Sequence, residues 1–160
     1  MSDVAYVAVV GDGEASAAVE SEAEAVGRLL GERGAILVCG GLGGVMAAAC
    51  RGAKAAGGLT VGILPGGDRS QAGPWVDVAV ATGMGEARNA VIARTADVVV
   101  ALAGGYGTLS EIALALRLGR PVISLGSWDI EGVREAEDPA DAVEKALDEL
   151  DRGAGRTAPI

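Results

Sequence analysis

The sequence contains no histidine and no phenylalanine, and its aromatic residues are two Trp and two Tyr in 160 positions. Without histidine there is no His-based triad, no imidazole acid–base step and no His-ligated zinc. The two cysteines, Cys39 and Cys50, lack CxxC spacing, so no metal site is expected and a buried, reduced pair is the natural reading. Lysine is equally scarce: Lys54 lies mid-helix among polar neighbours, and nothing aims it at a cleft as an aldimine lysine for pyridoxal phosphate would be. Lys and Arg total 13 against 22 Asp and Glu, a net charge of −9 and a pI near 4.4. Nucleic acid requires a basic surface and is not an expected partner. There is no long apolar run of membrane-spanning length and no charged, apolar, small-residue leader, which predicts no membrane association and a cytoplasmic location.

What is present suits a single domain over residues 1–150 followed by a frayed, flexible tail at 151–160. A core without Phe must be built from Val, Ile, Leu and Ala, side chains suited to close helix-on-sheet packing. Glycine supplies 26 of the 160 residues, about twice its average usage. No collagen period accounts for the excess, which is therefore assigned to turns.

Apolar runs without polar alternation predict strands at 4–10, 36–39, 60–64, 97–102 and 121–125, with a weaker candidate at 75–81. Helical spacing, as in Val19, Ala23, Val26 and Leu30, predicts helices at 16–33, 45–56, 86–95, 108–118 and 139–150. Buried strands alternating with helices imply an α/β fold, a doubly wound (Rossmann-like) parallel sheet of about five to seven strands with helices on both faces. Ligands of such sheets bind at the carboxyl ends of the strands.

Two glycine-rich turns fall there. Gly40-Gly41-Leu42-Gly43-Gly44 follows the strand at 36–39, and Ala103-Gly104-Gly105-Tyr106-Gly107-Thr108-Leu109-Ser110-Glu111 follows the strand at 97–102. A strand, a glycine turn and a helix N-terminus bring backbone N–H groups and the positive end of a helix dipole to one point, where glycines let a phosphate approach the main chain. Gly40, Gly41, Gly43, Gly44, Gly104, Gly105, Gly107 and Thr108 are the candidate phosphate contacts, although each turn also serves as a plain strand-to-helix connection. Gly11 and Gly13, at the end of the first strand, either line the same cleft or form a simple turn. Their spacing to Ser16 departs from Gly-x-Gly-x-x-Gly, so a standard NAD site is not expected. Thr108-Leu109-Ser110-Glu111 also fits a capping box, in which Glu111 accepts a hydrogen bond from the Thr108 amide; a chemical role for Glu111 can coexist with it. Arg88 reads either as a cation facing the ligand or as an exposed helix residue paired with Glu86 or another carboxylate.

The stretch from Gly104 to Glu111 resembles the signature Pro-Gly-Gly-x-Gly-Thr-x-x-Glu of the Lonely Guy superfamily, also labelled "possible lysine decarboxylase". Gly83-Met84-Gly85-Glu86-Ala87-Arg88-Asn89 and Gly40-Gly41-Leu42-Gly43-Gly44-Val45-Met46 are more similar to its branch of molybdenum cofactor carrier proteins and Rossmann-like relatives. In the enzymatic branch the resemblance implies a phosphoribohydrolase that cleaves the N-glycosidic bond of a nucleoside 5′-monophosphate, with Glu111 and Arg88 at the positions of the catalytic pair. Around Arg88 the Met-His-Glu-Arg-Lys motif is replaced: Glu86 stands for His, Ala87 for Glu and Asn89 for Lys, and Ala103 stands for the signature proline. Arg88 and Asn89 are carried over as candidate ligand contacts. The expectation is thus a small cytosolic protein that binds a phosphorylated ligand, a nucleotide or a pterin such as molybdenum cofactor, with no obligatory cofactor. The alternative is the phosphoribohydrolase, and a third reading is an oligomeric scaffold using apolar helix faces between Met84 and Leu118. From the superfamily, a homodimer or homotetramer is implied.

Overall fold

A computed structural model describes residues 3–153. Seven strands form one fully parallel sheet: β1 (Tyr6–Val10), β2 (Ile36–Cys39), β3 (Thr60–Leu64), β4 (Val78–Ala81), β5 (Val98–Leu102), β6 (Val122–Leu125) and β7 (Val133–Glu135). Their order is β4-β3-β2-β1-β5-β6-β7. Five helices connect or follow them: α1 (Ala17–Glu32), α2 (Val45–Ala55), α3 (Arg88–Thr95), α4 (Tyr106–Arg117) and α5 (Pro139–Asp151).

The absence of polar alternation in the strands now has a direct cause. Along β1, Val7 and Val9 enter the core layer under α1, α2 and α5, while Ala8 and Val10 enter the layer under α3 and α4. Along β5, Val98, Val100 and Leu102 take the first side and Val99 and Ala101 the second. Both faces are covered, so every position is apolar. The chain builds outward from β1 to β4, then crosses back to place β5 on the other side of β1. Loops leaving β1 and β5 therefore diverge to opposite faces, and a crevice opens between their carboxyl ends. Among the described residues no helix is long and apolar enough to cross a membrane.

The expected α/β architecture is present, with several differences in detail. β1 begins at Tyr6, leaving Val4 half exposed. The edge strand β7 carries only three residues, two of them charged, and so has no apolar run to announce it. Asp151 closes α5 rather than opening a tail; positions 154–160 of the expected tail lie outside the described residues. Nor is the glycine excess confined to turns. A Cβ at Gly27 of α1 would lie 1.9 Å from the Ala49 carbonyl oxygen, and one at Gly52 of α2 would lie 2.0 Å from the Glu24 carbonyl oxygen. These glycines let the two helices pack backbone against backbone.

Candidate functional site

Three loops meet at the carboxyl edge between β1, β2 and β5. The Val45 amide donates to the Asp12 carbonyl oxygen and the Gly105 amide to Asp12 Oδ1, each at 3.0 Å. Asp12 thus joins the β1, β2 and β5 turns. Glycine is required where they touch: a Cβ at Gly44 (φ 59°) would sit 2.2 Å from the Asp12 carbonyl oxygen, and one at Gly11 would sit 2.8 Å from that of Leu102. Gly41 serves packing instead, closing against Leu64 and accepting the Gly73 amide. Gly13, Gly43 and Gly107 lie exposed on the rim.

The helices that start at the carboxyl ends of the strands differ in capping. The Ser16 hydroxyl caps α1 by accepting from the Val19 amide, and the Asp138 carboxylate caps α5 by accepting from the Asp141 amide. By contrast α3, which opens at Arg88, has no side-chain cap, and α2 and α4 start at Gly44 and Gly105 with none either. The first helical bonds are those of Ala48 to Gly44 and of Leu109 to Gly105. The amides of Met46 and Ala47, and those of Tyr106, Gly107 and Thr108, therefore precede any intrahelical partner and point at the same edge. Such uncapped N-termini attract anions.

The capping-box reading of Glu111 does not hold. Helix α4 begins at Tyr106, two residues before the expected start, and Gly105 occupies the N-cap position. Thr108 lies inside the first turn, its side chain closed against Gly104, where a Cβ would be 2.2 Å from Thr108 Oγ1. Glu111 is consequently further along the helix, buried at 8% exposure. Burial pushes its carboxyl up to about 7, against the opposing pull of the Arg88 guanidinium.

Arg88 opens α3 and is 9% exposed, so the exposed pairing with Glu86 is likewise replaced by burial. Its guanidinium lies over Gly40: a Cβ there would be 2.0 Å from Arg88 Nη1. Burial pulls Arg88 below its usual value while Glu111 raises it, and Nε has no hydrogen-bond partner. The two charges attract without closing a direct ion pair. Beneath them, Cys39 Sγ accepts the Gly41 amide at 3.3 Å and lies 3.5 Å from Cys50 Sγ; both thiols are free and buried. Asn89 turns to α4 instead, donating from Nδ2 to Ser110 Oγ at 3.3 Å, and that hydroxyl donates to the Gly107 carbonyl. Lys54 is engaged by Asp77, with Nζ 2.6 Å from Oδ1.

The β5 turn has features that spacing alone could not disclose. Ala103 has φ 45°, the sole positive value at a non-glycine among the described residues. A proline ring cannot adopt it, so the departure from the family's proline is a different turn rather than a silent exchange. Its amide donates to the Leu125 carbonyl and its carbonyl accepts from Ser127 Oγ. Trp128 Nε1 donates to the Gly105 carbonyl at 3.1 Å, and the Tyr106 ring stacks on Trp128 with centroids 6.0 Å apart and planes at 27°. A cavity of about 320 Å³ lies between this turn and Gly126, Ser127, Trp128 and Asp129. Both rings were visible in the sequence as scarce residues, but 22 positions separate them and only the fold brings them together. A larger cavity of about 420 Å³, lined by Asp3, Ala5, Arg33, Asp97, Leu147 and Leu150 among others, lies at the opposite, amino-terminal edge of the strands.

A doubly wound sheet with paired glycine turns at its switch point defines a Rossmann-like protein of the Lonely Guy type. The chain belongs to the SLOG cluster4 family, whose model matches residues 4–150. An uncharacterised protein of Archaeoglobus fulgidus is 45% identical over 138 residues, covering 86% of this chain and 91% of that protein. Among solved structures, the molybdenum cofactor binding protein of Rippkaea orientalis superposes with a TM-score of 0.89 at 36% identity, covering 94% of this chain and 99% of that one. A probable cytokinin riboside 5′-monophosphate phosphoribohydrolase of Oryza sativa subsp. japonica is 40% identical over 90 residues, which is 54% of this chain and 37% of that protein.

Proposed function

We propose that this protein binds a phosphorylated small molecule, a nucleotide or a pterin of the molybdenum cofactor type, at the carboxyl edge of its sheet. The observation that carries the reading is the pairing of two uncapped helix N-termini with a buried arginine whose Nε lacks a partner. A buried guanidinium N–H is normally satisfied, the first-turn amides of an uncapped helix have no intrahelical acceptor, and a phosphate supplies acceptors to both. Likeness to the Rippkaea orientalis protein supports a pterin ligand, and a binding protein needs no acid–base pair beyond what is present. The phosphate takes the amides of Tyr106, Gly107 and Thr108, and Arg88 approaches it from above Gly40.

A second reading is favoured by one observation, the Glu111 carboxyl held near 7 opposite Arg88. A carboxyl poised at neutral pH is suited to proton transfer, and ionised it stabilises the cationic sugar of an N-glycosidic cleavage. In that reading water adds to the anomeric carbon, the bond to the base breaks, and base and ribose 5-phosphate leave. Glu111 moves the proton and Arg88 holds the phosphate.

Incubation with a panel of nucleoside monophosphates, followed by chromatography, separates the two. Binding without release of free base, lost in Arg88→Ala, is the result expected for a binding protein. Release of base that disappears in Glu111→Ala overturns that reading in favour of the hydrolase. No binding of nucleotides or of pterin phosphates overturns both.

A further inference from the structure

Two of the four aromatic residues of the chain stand together at the anion turn, and the outer one is left to solvent. Tyr106 is 83% exposed, the highest exposure of any large apolar side chain described. It is nevertheless held in place. Its ring lies on Trp128, whose indole N–H is anchored on the Gly105 carbonyl and whose other contacts run into the core layer of α3 and α4. A ring that already stacks on an anchored neighbour and keeps one face free differs from a stray surface aromatic, because less of its freedom remains to be lost on binding.

Its position relative to the amides is the second element. Tyr106 contributes the first helical amide of α4, so the ring is borne by the same residue that begins the uncapped N-terminus. The cavity of about 320 Å³ floored by Gly104, Gly126 and Trp128 opens beside it. A phosphate held on the α4 amides has this pair beside it, since Tyr106 supplies one of those amides.

We infer that the Tyr106–Trp128 pair is the platform on which the planar heterocycle of the ligand stacks, so that the site selects phosphate esters of fused aromatic rings over phosphate esters of sugars alone. This rests on the phosphate-binding reading above and adds to it the group that distinguishes one phosphorylated molecule from another. Purines and pterins share the required chemistry, a flat π face of similar area, and stacking on an aromatic side chain accepts either.

Calorimetric titration with AMP, with the phosphate ester of 6-hydroxymethylpterin and with ribose 5-phosphate tests it. The wild-type protein is expected to bind one or both ring-bearing esters more tightly than ribose 5-phosphate, and the tighter of the two names the source of the ring. In Tyr106→Leu the ratio of that affinity to the ribose 5-phosphate affinity falls about tenfold, within the usual range for base stacking. Tyr106→Phe restores the ratio, because the face is kept. Equal affinity for all three esters, or a ratio unchanged in Tyr106→Leu, overturns the platform while leaving phosphate binding intact. Failure of all three to bind overturns the phosphate reading and the platform with it.

Discussion

The ionisation of Glu111 offers a test in which the alternatives differ in sign. Its carboxyl titrates near 7 in the folded chain against an ordinary value of 4.5. Between these pH values the folded chain holds a proton that the unfolded chain has released. Raising the pH through that window therefore draws the equilibrium toward the unfolded state. Stability from this group is greatest at and below pH 4.5, declines up to about pH 7 and is level above it. At about 1.4 kcal/mol per tenfold difference, the total loss is roughly 3 kcal/mol. Glu111→Gln presents a neutral side chain of the same shape, so it matches wild type near pH 4.5 and exceeds it by roughly 3 kcal/mol at pH 8. For a domain of this length that corresponds to a rise of roughly 6–12 °C in Tm. Thermal melts and urea titrations of both proteins across the pH range measure the difference directly. A carboxylate capping a helix would behave in the opposite way, since its acceptor role favours ionisation. A variant that is less stable than wild type at pH 8, or one displaced by the same amount at every pH, would refute the reasoning.

Three further substitutions probe the edge. Gly40→Ala drives a methyl into the Arg88 guanidinium, which lies 2.0 Å from that position; loss of one charge-assisted bond to phosphate weakens ribose 5-phosphate binding roughly 10- to 100-fold, and calorimetry showing unchanged affinity counts against Arg88 as the cation. Asp12→Ala frees the Gly105 amide and removes a negative charge from the anion site, so phosphate binding strengthens by about 1 kcal/mol, more at low salt; weaker binding would instead make Asp12 a ligand contact. Ala103→Pro cannot take φ 45° and loses the amide bond to Leu125, which lowers stability by about 3 kcal/mol or more; an unaltered denaturation midpoint would rule out the positive-φ turn.

The sheet was legible because burial on both faces leaves uninterrupted apolar runs, as in Val98–Leu102. The edge strand β7 had no such run, for a strand paired on one side only can carry Arg134 and Glu135. The gathering of the glycine turns at one edge could also be read, since loops that leave neighbouring parallel strands emerge on the same side of the sheet. What escaped was the state of its two charges. Thr-x-x-Glu spacing is the same whether Thr108 caps a helix or sits within its first turn, and the choice was decided by Gly105 taking the cap position. Spacing left Arg88 either facing the cleft or exposed on a short helix; its burial depends on Gly40, 48 positions earlier, having no side chain to exclude it. Such pairings are contacts between distant segments and leave no local pattern.

The contact between α1 and α2 at Gly27 and Gly52 leaves no space for even a methyl group. A change at either position must be answered by a change in the opposing helix, which makes the pair difficult to alter by single steps. The β1 and β2 turns that begin these helices are therefore held in a fixed relation. The segments carrying Arg88, Tyr106 and Trp128 leave the sheet from β4, β5 and β6 and lie outside that helix-to-helix contact, joined to the frame through the Gly105–Asp12 bond and the Arg88–Gly40 contact. Substitutions there leave the α1–α2 contact intact, so those loops can vary while the frame is retained.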